Sequence, residues 1–568
     1  MKNRLDLFQC NILRKIFRAR PFQFIVQAPN VLIFILVILT GLLGSQIPGK
    51  NFATVLTWTI WWAGIIFLIL FAGAAWCLIC PWMALGNWVQ RLAFWRKSES
   101  GPGLEKKYGF ARNRYPAVIF FFIVSALELG ILITYSPMYT ALLAVVMFVL
   151  AVTTALIWEK NAFCRYICFV GAIVGMYSNL SPVEIRSRDK EVCGGCKTKD
   201  CVTGNDKGYG CPTFLYPGGL EMNTDCTLCA ECFKTCPYDN MTLNVRPFLS
   251  DLSGAFKGRM DEAVLALVLL GLTVFHGVTM LPKWFFWATE SLKGEYAVYL
   301  FSFLLAQTAF ALGPLLIHAI FSQATVLIAG TREIKFKEVF IRFSYSFLPV
   351  AIAYHLAHNL AHIRKEGYKF FLVLSDPFGW GWDLFGTAGW IPPVSHAGHA
   401  MKKTPASEHS GHDMSGHEMS GHDTGTHDMP AVDHTGHDMS GHDMSTHDMS
   451  GHDMAGHDMS THEMPATDMP ADHMGHDMPM PEMGADMSTV HEMASQSGIM
   501  LHQAEFSYYN VTLITLGLMG GLFLVRRAAK EIFKDGAWRG AVFFLLAITA
   551  YSYLSWFLLN QPMVMRTQ

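Results

Sequence analysis

The chain has 568 residues, 52% of them hydrophobic and only 15% charged, where a soluble protein carries roughly 25% charged residues. Its apolar residues fall in long uninterrupted runs, which excludes a soluble enzyme, and its size excludes a disulfide-held secreted scaffold. The formal net charge of −2 averages two unlike parts: residues 396–493 hold 18 Asp and Glu against Lys402 and Lys403, and the remainder holds 41 Lys and Arg against 27 Asp and Glu. Those cations need no nucleic acid to explain them, because Lys and Arg beside membrane spans set orientation.

Runs of about 20 apolar residues read as membrane helices. They fall near 30–47, 55–79, 116–135, 138–158, 261–281, 296–321, 339–361, 506–525 and 540–560. The fold class expected is therefore an α-helical polytopic membrane protein of about nine spans. Lys2, Arg4, Arg14, Lys15, Arg18 and Arg20 place the N-terminus in the cytoplasm by the positive-inside rule. No small-residue cleavage site follows the first span, so it reads as an anchor. Alternation then puts the basic loops 80–115, 159–260, 322–338 and 526–539 inside, and residues 396–493 in the periplasm of an inner-membrane protein. Five domains follow: a four-span membrane domain (1–180), a cytoplasmic loop domain (181–250), a three-span domain (251–395), the acidic insert (396–493) and a two-span domain (494–568).

In chain order, the first cysteines of interest are Cys77 and Cys80 at the inner end of the second span, then Cys164 and Cys168 after the fourth. Four thiols at one depth suit a third metal centre or a redox-active pair, and equally suit packing as small apolar residues. Next comes Cys193, Cys196, Cys201 and Cys211 as C-x2-C-x4-C-x9-C-P, then Cys226, Cys229, Cys232 and Cys236 as C-x2-C-x2-C-x3-C-P. The second run is the bacterial ferredoxin pattern, whose fourth cysteine serves the other cluster. Crosswise pairing puts Cys193, Cys196 and Cys201 with Cys236, and Cys226, Cys229 and Cys232 with Cys211, filling two [4Fe–4S] clusters. Disulfides do not suit a cytoplasmic loop, and zinc has no use for the closing Cys-Pro.

The WCLICPW stretch from Trp76 to Trp82, the CRYICFVGAIVG stretch from Cys164 to Gly175, and the ferredoxin runs together resemble the NosR/NapH/CcoG group of membrane polyferredoxins over roughly residues 20–250. The resemblance implies electron carriage at the inner membrane for respiratory reductases, or help in copper-enzyme maturation, with one branch regarded as a cupric reductase. It also implies a redox donor such as a ferredoxin, a flavoprotein or quinol. Two departures stand out: C-x2-C-P at Cys77 where the group has C-x3-C-P, and Phe169 after Cys168 where proline is expected. No periplasmic flavin domain is expected ahead of the first span.

Further along, His276 lies in the fifth span, and His355, His358 and His362 lie at i, i+3 and i+7 in the seventh. Ionisable groups inside spans are functional candidates, here for a copper site or haem b. A lone His318 reads as a hydrogen-bonded packing residue.

The insert repeats HDM, HEM and MSGHDM, with 17 His and 17 Met between His396 and Met493. Its candidate ligands are His412, Met414, His417, Met419, His422, His427, Met429, His437, Met439, His442, Met444, His447, Met449, His452, Met454, His457, Met459, His462 and Met464. Much of it has a five-residue period, which collects no single helix face, and such a composition is expected to be disordered when metal-free. Imidazole and thioether in equal number suit copper, Cu(II) on His and Cu(I) on Met, with silver a chemical equivalent of Cu(I).

The function expected is iron–sulfur electron transfer linked to periplasmic copper, most concretely reduction of Cu(II) to Cu(I), an oxidoreductase activity. One alternative is an electron-transfer subunit between the quinone pool and a periplasmic copper enzyme. Another is a copper or silver resistance or storage protein whose clusters sense redox state. About 30 Å of hydrocarbon separates clusters from copper, so quinone, haem or a partner copper protein must relay.

Overall fold

A computed structural model describes residues 4–92, 113–158, 160–254, 256–292, 295–330, 333–390, 499–533 and 537–561. The chain divides into two units, Met1–Pro393 with His491–Gln568, and Val394–Val490. All described residues belong to the first; the His/Met-rich insert and its candidate ligands lie outside them.

Each of the nine expected spans holds a helix, but among the described residues eight helices, not nine, are long and apolar enough to cross a bilayer: Phe22–Leu43, Phe52–Ala72, Pro137–Ile157, Met260–Thr279, Tyr296–Ala329, Phe336–Glu366, Tyr508–Phe533 and Gly540–Leu559. The exception is the span expected near 116–135. Its helix, Tyr115–Gly130, has 16 residues and stops before Leu132, whose φ of +59° no helix continues. At 1.5 Å per residue it reaches roughly 24 Å, short of the hydrocarbon thickness. The second span is also shorter than its apolar run: Gly73, at φ +59°, ends the helix at Ala72. Any Cβ on Gly73 would lie 2.9 Å from Ser181 Oγ, so the break is built into the packing.

The cysteine-rich segment folds as a lobe around a three-stranded antiparallel sheet. Its strands are β1 (Leu5–Asp6), β2 (Val183–Ser187) and β3 (Met241–Val245), in the order β1-β3-β2. Val183 pairs with Val245 and Ser187 with Met241, so β2 and β3 bracket both cysteine runs. Under the sheet, Arg246 Nη1 meets Glu184 Oε2 at 2.7 Å and its Nη2 meets Asp251 Oδ2 at 2.8 Å, all side chains buried. Arg186 adds contacts to Asp251 and to Asn223 Oδ1, both 2.9 Å. Removing one partner of a buried pair strands the other charge, so Arg246→Met is expected to destabilise the lobe by about 3–5 kcal/mol. Denaturant unfolding in detergent measures this; a loss under about 1 kcal/mol, the size of an exposed pair, would contradict it.

The N-terminal cations do more than mark orientation. Arg4 pairs with Glu184 at 2.9 Å, Arg188 reaches Asp6 at 3.0 Å, and Arg14 and Arg18 both pair with Asp239. Phe8 packs edge-on against Phe233 with ring centroids 4.5 Å apart. Residues 5–18 are therefore part of the lobe, and the N-terminus shares its side of the bundle.

Asp6 ties β1 down. Partial burial pushes its carboxyl up, but hydrogen bonds from Thr242 and Phe8 N and the charge of Arg188 outweigh this and hold it below its ordinary value of 3.8. A lowered folded pKa means that the stabilisation is present above the unfolded value and is lost as pH falls through the folded one. The N-terminal strand is thus expected to become protease-sensitive below about pH 4, the ordinary carboxylate range. Asp6→Asn should show the same sensitivity already at neutral pH, and a neutral-pH cleavage pattern like that of the unaltered protein would refute the role.

Candidate metal centres

Every cysteine is a free thiol, and twelve of the 13 form three sets of four. In the lobe, burial and then the charges of Cys236, Cys193 and Cys196 push the Cys201 thiol up to about 12. Cys232 is held well above the ordinary thiol value by burial, then by Cys229, Cys226 and Cys211. Cys211 also acts on Cys201, and Cys201 on Cys232, so thiols of both runs crowd together in the lobe. Cys211 N also donates to Cys201 O at 3.0 Å, joining the sets through one backbone contact.

Four thiols crowded into a buried site cannot all ionise beside one another without a cationic core. The backbone is shaped to such a core. Leu228 and Ala230 (φ +51° and +66°) curl the chain between Cys226 and Cys232, and Lys199 (φ +51°) does so before Cys201. Amides point at sulfur: Leu215 N to Cys211 Sγ and Asn240 N to Cys236 Sγ, both 3.3 Å, with Asn240 Nδ2 to Cys193 Sγ at 3.2 Å. Donors to sulfur are among the groups that set a cluster's potential. Among the described residues, no group of three or more His, Cys, Asp or Glu is placed to hold a single metal ion.

The third set is made of Cys77, Cys80, Cys164 and Cys168. After the break at Gly73, Cys77 lies on the short helix Ala75–Ile79, and Cys80 precedes the helix Pro81–Leu92. Cys164 sits on a π-turn, Phe163–Ile167, and Cys168 caps the helix Phe169–Ser178, its Sγ accepting from Gly171 N at 3.2 Å. The four converge, each within electrostatic reach of others in the set, and line one small cavity together with Cys226 and Arg114. The three sets thus stand in sequence: Cys193 set, Cys211 set, juxtamembrane set.

Beyond the third set lies a cavity of about 500 Å³ inside the bundle. Trp76 and Trp82 line both it and the thiol cavity. Trp58, Trp61, Phe34 and Phe121 add aromatic wall, and Glu128, His276, His358, His362 and Glu366 supply its polar groups. From Asp261, which accepts from Arg114 N at 2.6 Å near the lobe, His276 is 15 residues along one helix, roughly 22 Å. The cavity therefore extends from the thiols deep into the bundle.

The four membrane histidines do not act alike. His355 is engaged by Tyr177 Oη at 2.7 Å and Thr273 Oγ1 at 3.3 Å, one partner for each ring nitrogen. His358 and His362 face each other, Nε2 to Nε2 3.1 Å, and His276 stands edge-on to His358 with centroids 5.1 Å apart. Rings this close leave no room for a porphyrin between them, so the arrangement does not fit a haem held by His276 and His358. Glu128 lies 3.7 Å from His276. His318 Nε2 donates to Phe340 O at 2.9 Å and its ring packs against Phe340 and Phe544, as expected of a packing residue. Sequence reasoning missed Asn240, the tryptophan wall and the intramembrane acids; an acid inside an apolar run, as at Glu128, was the available signal.

A 4Fe-4S binding domain family matches residues 54–99 and 140–186. These are the segments that carry Cys77, Cys80, Cys164 and Cys168, while the eight lobe cysteines lie outside them. A protein of Escherichia coli (strain K12) described as "Putative electron transport protein YccM" is 30% identical over 135 residues, 22% of this chain. The match spans about a third of that relative, 35% of its length. No solved structure matches.

Proposed function

We propose that the chain is a membrane iron–sulfur protein that moves electrons between its ferredoxin-like lobe and a lipid-soluble quinone in the bundle cavity. The observation that carries this reading is the position of the third thiol set, sharing Trp76 and Trp82 with the cavity on one side and a cavity wall with Cys226 on the other. Three [4Fe–4S] clusters on twelve cysteines would form one chain of one-electron carriers. The 4Fe-4S family match and the electron-transport relative support the iron–sulfur part.

The cavity suits the other end. Its aromatic wall accepts a flat apolar headgroup, and histidines and carboxylates stand among its polar lining, the general form of a small-molecule pocket. Reducing a quinone takes up two electrons and two protons; the electrons arrive singly from the third set, and the histidine and carboxylate groups deliver the protons. Anaerobic addition of a short-tailed quinone to the dithionite-reduced protein, freed of excess dithionite, tests this by EPR. Loss of the reduced-cluster signals with formation of quinol supports it; reduced clusters that quinone leaves untouched would overturn it.

A second reading, copper reduction, rests on the 17 His and 17 Met of the insert. In it the insert gathers copper in the periplasm and electrons from the bundle reduce Cu(II) to Cu(I), with the lobe in the cytoplasm of an inner-membrane protein. His pKa values near 6.5 mean that Cu(II) on imidazole is released in mild acid, whereas thioether-held Cu(I) is retained. Equal losses of the two ions between pH 7 and 5.5, measured by equilibrium dialysis, would count against this mixed-ligand role.

A further inference from the structure

We infer that Arg114, through its ion pair with Asp225, holds the third cluster at a higher potential than the second and so draws an electron from one to the other. This rests on the reading of both thiol sets as clusters.

Arg114 is 3% exposed and lines the cavity formed by Cys77, Cys80, Cys164, Cys168 and Cys226. A guanidinium stays charged even there. Its Nη2 pairs with Asp225 and donates to Thr224 O at 2.9 Å, while its Nε has no hydrogen-bond partner. Asp225 is the residue before Cys226, so its negative charge stands at the second set. The cation stands at the third. The pair is thus a fixed dipole between two electron carriers, negative toward the second set and positive toward the third.

The local packing keeps it so oriented. Thr224 presses against the helix Phe169–Ser178 where Gly175 has no side chain; a Cβ there would lie 2.1 Å from Thr224 O. Asn179 Nδ2 donates to Thr224 Oγ1 at 2.9 Å, and Asp261 anchors the Arg114 backbone. Other charges surround the pair: Arg259 lies 3.7 Å from Asp225, Arg165 lines the same cavity as Arg114, and Glu262 acts on Arg114.

Passing one electron from the second set to the third breaks no bond and needs no proton; it moves one negative charge from beside Asp225 to beside Arg114. In a low-dielectric site that move is favoured by a fixed opposite charge. Arg114 is therefore a positioning residue for charge, not a ligand.

The test is EPR-monitored redox titration of the full-length protein in detergent. Arg114→Met is expected to lower the third-cluster midpoint relative to the second, shifting the electron at least tenfold toward the second, about 59 mV for a one-electron couple. Arg114→Lys keeps the charge and should keep most of the original difference. Asp225→Asn removes the negative end and should raise the second-cluster midpoint; it decides the matter if Arg114→Met loses iron. Unmoved midpoints with full iron content, or Arg114→Lys shifting as far as Arg114→Met, would overturn the inference. Absence of a third cluster signal in the unaltered protein would instead overturn the cluster reading itself.

Discussion

Replacing Cys80 with alanine is expected to remove one cluster of three and to cut the lobe off from the bundle. Iron should fall from about twelve to about eight per chain, as three cubanes become two. Clusters in the lobe should still be reduced by dithionite, because their eight ligands come from Cys193 to Cys236 alone. Oxidation of those two clusters by added quinone should disappear, since the third set lies between them and the cavity. Cys164→Ala should do the same, although it lies 84 residues from Cys80. Unchanged iron content in both variants would mean that the four juxtamembrane thiols hold no cluster and only pack.

The second large effect is expected at Gly64, on the wall of the 500 Å³ cavity. A Cβ added there meets nothing within 4 Å, so a side chain has open space to enter. In a helix interior, glycine is also destabilising by roughly 0.8–1.0 kcal/mol relative to alanine, so replacing it favours the helix. Gly64→Phe should therefore fold, keep its iron and slow quinone-driven cluster oxidation at least tenfold, while dithionite reduction is unaffected. Full quinone activity in this variant would remove the cavity from the electron path. Comparing the two substitutions separates the parts of the path: Cys80→Ala removes a carrier, and Gly64→Phe removes the seat of its partner.

The proposed path also changes how the distance between lobe and insert is crossed. Reading from sequence, the clusters stop at one face of the membrane and a relay is required across about 30 Å. The cavity is lined along the stretch from Leu269 to Met280, roughly 16 Å of helical rise, and a relay seated there would cover part of that distance.

What the sequence by itself determined is what short-range spacing and composition can encode. The eight lobe cysteines were legible as candidate ligands because three of the four ligands of such a cluster come from a single tight loop, so their separations along the chain carry the geometry. Spans were legible because a bilayer demands about 20 apolar residues in a row. Even there, composition did not show that Leu132 and Gly73 end two helices early, since a backbone turn leaves apolar content unchanged. Only the tertiary structure decided the rest. Cys77 and Cys164 meet because two helix ends are packed side by side, and Arg114 meets Asp225 across 111 residues. The N-terminal cations read as orientation signals until β1 was seen paired with β3. His355, His358 and His362 share a helical stripe in sequence, yet Tyr177 and Thr273 claim His355 and leave the other two facing each other. The cavity had no sequence signature, because empty volume belongs to the packing of several helices and to no one of them.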